Sequence, residues 1–160
     1  MKSFLALSVL CASLIACAKA GPETITSYRD RSVPIASRAV FDPAAFEGNW
    51  RIIAGFPNAD TPDCDPVLSV DRTMILTGCS GGNAYAGGPA RYLGQGRYTV
   101  DADPMWVLWL AEDGQAAVIG TPDGSMGAIL ARDTISADRY RAAVTMLEFN
   151  GYKTDYLQRY

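Results

Sequence analysis

The stretch Phe46-Glu47-Gly48-Asn49-Trp50-Arg51-Ile52-Ile53-Ala54-Gly55-Phe56-Pro57-Asn58 decides the fold of this chain. Trp50, Ile52, Ala54 and Phe56 alternate with Arg51 and Ile53, the period of two expected of a strand with one buried face. By itself a Gly-x-Trp block carries little, because a tryptophan opening a strand most often just fills a core. Its weight depends on the rest of the chain.

Downstream, the same alternation recurs. Leu68 and Val70 alternate with Ser69 and Asp71, Met74 and Leu76 with Thr73 and Thr77, and Tyr98 and Val100 with Arg97, Thr99 and Asp101. Apolar runs then cover residues 105–111, 115–121 and 126–132, joined by Glu112-Asp113-Gly114 and Pro122-Asp123-Gly124. Breaks are expected at Asp71-Arg72, over the glycine-rich stretch Gly78 to Gly88, at Gly94-Gln95-Gly96 and at Asp103-Pro104. Tyr85 to Leu93 is a weaker strand, which brings the count to eight. This predicts an all-β protein, an eight-stranded up-and-down antiparallel barrel, since closure removes exposed edges. After Arg132 the period becomes helical: Ser136 can cap, Asp138 sits in the first turn, Tyr140, Ala143, Val144 and Leu147 share a face, and Gly151 is a stop. That C-terminal helix is expected to pack on the barrel, with Tyr156 to Tyr160 as a short extra strand.

Taken with Ile129-Leu130-Ala131-Arg132, the opening block resembles the lipocalin signature. In that family the Gly-x-Trp block begins the first barrel strand, and an arginine ending the last one packs across the tryptophan ring. The resemblance assigns Gly48, Trp50 and Arg132 to a closed barrel base. Trp106-Val107-Leu108-Trp109-Leu110, Ala117-Val118-Ile119-Gly120 and a helix ending near Gly151-Tyr152 look like the second half of bacterial outer-membrane lipocalins, with Asp133-Thr134-Ile135 in place of their Thr-Ile element. The likeness covers residues 41–58 and 105–160 and is poor between 59 and 104. Arg51 departs from it, because the residue after the tryptophan is usually aromatic in those relatives.

Residues 1–16 have the form of a secretory signal: Lys2 precedes an apolar stretch from Phe4 to Ala16 that is short for a membrane span. Leu14-Ile15-Ala16-Cys17 looks like a lipobox, which makes Cys17 the acylated first residue of a bacterial lipoprotein carrying palmitate or a similar chain. Ala18, rather than Asp, follows it, which points to the periplasmic face of an outer membrane. Ordinary cleavage after Ala18-Lys19-Ala20 is the alternative and would leave a soluble periplasmic protein. Residues 17–44 read as tether and lead-in, and 45–160 as the barrel domain. Cys64 and Cys79 remain after processing and are expected to form a disulfide in an oxidising compartment.

The composition narrows the chemistry. There is no histidine, which removes triads, Cys-His dyads and the helical zinc-protease motif. The chain has 17 acidic residues, yet no two stand out as a catalytic pair. After removal of Lys2 with the signal, 13 basic residues face those 17 acidic ones, scattered without a nucleic-acid stripe. No metal site, cofactor or enzyme activity is implied, and Gly78-Cys79-Ser80-Gly81-Gly82 is not followed by the Gly-Lys-Ser/Thr of a phosphate loop. The expectation is a binding protein for a small hydrophobic or amphipathic ligand of the fatty acid or lysophospholipid class. Tyr98, Trp106, Leu108, Met74 and Leu76 are the candidate contacts. Two alternatives stay open: a protease-inhibitor-like periplasmic barrel, which the cysteine pair suits but a long C-terminal helix does not, and a structural envelope barrel with a filled interior.

Overall fold

A computed structural model describes residues 26–57 and 63–160. The expected signal peptide, Cys17 and the cleavage site near Ala20 lie outside the described residues. Eight antiparallel strands run in chain order: β1 Gly48–Gly55, β2 Pro66–Val70, β3 Met74–Cys79, β4 Ala84–Gly94, β5 Arg97–Val100, β6 Asp103–Leu110, β7 Ala116–Gly120 and β8 Gly127–Ala131. Each pairs with its neighbour in sequence, and β1 pairs with both β2 and β8, which closes the barrel. A short helix α1, Pro43–Phe46, precedes β1, and α2, Ala137–Phe149, follows β8. A two-residue strand β9, Gln158–Arg159, pairs with Ala54 and Gly55 of β1 on the edge that β2 leaves.

The barrel has two apolar faces, and both are covered. Inside it lie Trp50, Leu68, Val70, Ile75, Tyr98, Met105, Val107, Leu110, Ile119 and Leu130. Outside it, Ile53, Leu108, Val118, Ile129 and Ala131 meet Ala143 and Leu147 of α2, both fully buried. Ser136 caps α2 by accepting from the Arg139 amide, and Gly151 leaves the helix at φ +82°, which suits glycine. These two layers explain why β7 and β8 are buried along their whole length and show no polar face.

Three expectations are corrected. The glycine-rich stretch Gly78 to Gly88 is not a long break: it is a tight β3–β4 hairpin, and β4, expected to be weak, is the longest strand. Gly87 makes this work, because a Cβ there would sit 2.2 Å from the Ile75 carbonyl oxygen. Asp103-Pro104 is not a break either but opens β6, with Pro104 near the strand's first residue rather than at its centre. The lead-in from Ser27 to Ala44 is part of the folded body. Tyr28 and Arg29 are buried, Arg29 bridges to Tyr152, and the Arg38 amide donates to the Val107 carbonyl at 2.9 Å.

Candidate functional site

The two ends of the barrel differ. At one end α1 and the start of β1 form a plug in which Phe41, Phe46, Trp50, Tyr92 and Tyr98 pack ring against ring, with centroids 5.1–6.2 Å apart. Trp50 is fully buried and its indole N–H donates to the Phe46 carbonyl at 2.8 Å. The Arg132 guanidinium carbon lies 3.6 Å from the centre of the Trp50 ring. Arg132 also donates to the carbonyls of Ala45, Asn49 and Glu47 at 3.1, 3.1 and 2.7 Å, so one fork ties β8 to the whole entry segment. Gly48 is required here: its φ is +103°, and a Cβ would meet Arg132 Nη1 at 3.0 Å.

The opposite end opens into a cavity of about 460 Å³. That volume lies within the roughly 300–1,000 Å³ usual for small-molecule pockets. Ile52, Leu68, Ile75, Met105, Ile119 and Ala128 line its walls. Hydroxyls come from Thr77, Thr121 and Ser125, and Asp103 and Asp123 stand at the mouth, with Tyr85 from β4 and Tyr160 from the segment after β9. Burial opposes ionisation of Asp123, but hydrogen bonds from Thr121 and Ser125 outweigh it and hold the carboxyl below its ordinary range. Burial pushes the Tyr85 and Tyr160 phenols up, so both rings are neutral at physiological pH.

Three elements fix the mouth. Cys64 and Cys79 form a disulfide with Cα atoms 5.8 Å apart, which fastens the approach to β2 onto the end of β3. Tyr152 reaches under the β7–β8 turn, where its hydroxyl accepts from the Thr121 amide at 2.8 Å and donates toward the Met126 carbonyl at 2.8 Å. Arg29 lies behind the same turn, with its guanidinium donating to the carbonyls of Asn150, Pro122 and Val33.

None of the five residues expected to contact a ligand lines this cavity. Tyr98 faces inward but belongs to the aromatic plug at the closed end. Trp106 and Leu108 face outward beneath α2 and the lead-in, where Trp106 lies under the Arg97 guanidinium. Met74 and Leu76 are half-buried on the outer face of β3, flanking the inward Ile75. The reason is phase: Met74-Ile75-Leu76 is continuously apolar, and β6 is apolar on both faces, with Met105 and Val107 inward, Trp106 and Leu108 outward, and a bulge after Val107 that leaves Trp109 outward as well. Tyr85, Asp123 and Tyr160 were missed because they belong to a turn or to strand ends, where periodicity carries no information. Among the described residues no cluster of His, Cys, Asp and Glu could hold a metal.

Comparison with known proteins agrees with this geometry. Residues 91–160 match the family described as a lipocalin-like domain. Insecticyanin from the tobacco hornworm Manduca sexta superimposes with a TM-score of 0.58 at 15% identity, covering 83% of this chain and 85% of that one. Lipocalin 12 from rat epididymis gives 0.58 at 13% identity over 78% and 87% of the two chains. Per a 4, a major cockroach allergen, gives 0.57 at 15% identity over 81% and 94%. No curated protein matches the sequence.

Proposed function

We propose that this chain is a lipocalin-like carrier whose barrel holds a small apolar or amphipathic molecule of the fatty acid or lysophospholipid class, a reading supported by the lipocalin-like match over residues 91–160 and by the barrel fold. The single observation that carries this reading is the apolar cavity of about 460 Å³, open at one end and sealed at the other by Trp50 and Arg132. Each buried methylene contributes about 0.8 kcal/mol, so an alkyl tail along Ile52, Leu68, Ile75 and Ile119 is held without any charged contact. The open cavity speaks against a filled structural barrel. The helix α2 speaks against a protease-inhibitor barrel, which lacks one. We further propose, on the Cys17 lipobox, that the chain is an acylated lipoprotein of a bacterial envelope facing the periplasm.

One experiment addresses both parts. Native mass spectrometry of the protein purified from its own envelope is expected to show a covalent acyl mass that Cys17→Ser abolishes, and a non-covalent mass that denaturation releases. Repeated recovery of an empty protein that also takes up neither a fluorescent fatty acid nor a neutral apolar fluorophore would end the carrier reading. An acyl mass surviving Cys17→Ser would end the lipobox assignment.

A further inference from the structure

We propose that the cavity mouth selects amphiphiles whose head group carries an ammonium and discriminates against those ending in a bare carboxylate; this rests on the carrier reading above. The strand order brings residues 63–65, 80–83, 101–104 and 121–126 to the open end, where they connect or flank β1 to β8. These segments carry Asp63, Asp65, Asp101, Asp103 and Asp123, and no lysine or arginine; Arg159, beside Tyr160 at the same end, has its guanidinium over the Tyr140 ring at 4.4 Å and does not line the cavity. Asp103 and Asp123 line the cavity itself, whose lining among the described residues includes no cation. The ion pairs among the described residues are Arg72 with Glu47, Arg139 with Asp113 and Arg141 with Asp138, so none engages a mouth aspartate. Arg29, behind the β7–β8 turn, is buried on three carbonyls and does not line the cavity.

The aromatic rings add a second, independent feature. Tyr85 and Tyr160 line the same mouth and are 38% and 43% exposed, so their faces are accessible to a head group. A carboxylate and the face of a tyrosine both attract an ammonium, and both repel or ignore a carboxylate. An apolar tail seated against Ile52, Ile75 and Ile119 leaves its head at this ring, where apolar walls focus the field of the aspartates. Tail burial is the same for chains of equal length, so the head group alone decides between them.

The test displaces a neutral fluorescent probe, N-phenyl-1-naphthylamine, from the purified protein near neutral pH. The competitors are dodecyltrimethylammonium, dodecanol and dodecanoate, each below its micellar concentration. At low salt the ammonium is expected to compete about tenfold better than the carboxylate, with the alcohol between them, a preference that screens away in about 1 M salt where the Debye length is about 3 Å. In D103N/D123N the side-chain amide at position 123 keeps an oxygen that can accept from Ser125, so the ratio of ammonium to carboxylate competition, read within the same variant, should shrink to about twofold. Equal competition by all three, or a preference that neither salt nor the double variant alters, overturns the selection and leaves the carrier reading intact. Failure of the probe and every competitor to bind overturns both.

Discussion

Arg132 joins segments more than eighty positions apart with three hydrogen bonds and a ring contact, and each of these asks something different of the side chain. The carbonyls need several donors in a rigid fork, and the ring needs a flat cation. Burial draws the guanidinium below its ordinary value, though it stays charged. Hydrogen bonds to charged groups are worth about 1.5–3 kcal/mol each before overlap. Arg132→Ala is therefore expected to cost about 2–4 kcal/mol in urea unfolding, and Arg132→Lys to recover less than half, because a point charge cannot bridge Asn49 and Glu47 together. A loss below about 0.5 kcal/mol for Ala, the ordinary range for surface substitutions, would remove the base lock. This part of the molecule was legible in the sequence because Gly48, Trp50 and Arg132 each perform a task that few other residues can.

At the scale of elements, hairpin β3–β4 and its disulfide decide how firmly the mouth is held. Closing 15 positions of chain contributes roughly 3 kcal/mol by loop entropy. The double variant Cys64→Ser with Cys79→Ser should lose about 2–3 kcal/mol. Because the bridge lies at the open end, hydrogen exchange should accelerate in residues 63–66 and 78–88 while the amides around Trp50 and Ala131 keep their protection. Uniform acceleration over the whole barrel would show instead that mouth and base open as one unit. The elements themselves were readable from alternation, from the helical face of Ala143 and Leu147 and from the Ser136 cap. Which face of a strand looks inward was not readable. Register shifts in β1 after Ile52 and in β6 after Val107 reverse the phase within single strands, and α2 buries the outer wall as thoroughly as the core. The strand positions were thus recoverable and the cavity lining was not.

Across the folded body, no described side chain whose ordinary pKa lies in the middle of the pH scale is free to titrate. There is no histidine, and Cys64 and Cys79 are held in the disulfide. Asp30 is drawn down by hydrogen bonds from the Ser32 side chain and amide, and Asp113 by the Gln115 amide together with Arg139. Asp123 is lowered too, by the Thr121 and Ser125 bonds that outweigh its burial. A carboxyl lowered on folding gives stability that is complete above its unfolded value, about 3.9, and is lost as the pH falls through the folded value. Burial pushes Tyr98 and Tyr152 in the other direction, Tyr152 to about 12. A phenol raised on folding gives stability that is complete below its unfolded value, about 10, and is lost as the pH climbs through the folded one. Thermal melting is therefore expected to show a plateau from about pH 5 to pH 9, with an acid limb below about pH 4 and an alkaline limb above about pH 10. A shift in melting temperature above about 4 °C inside the plateau, the effect of about 1 kcal/mol, would mean that a group outside the described residues titrates with folding. At the cavity mouth the same bonds hold Asp123 ionised across this plateau, so its charge is a constant feature of the site between pH 5 and pH 9.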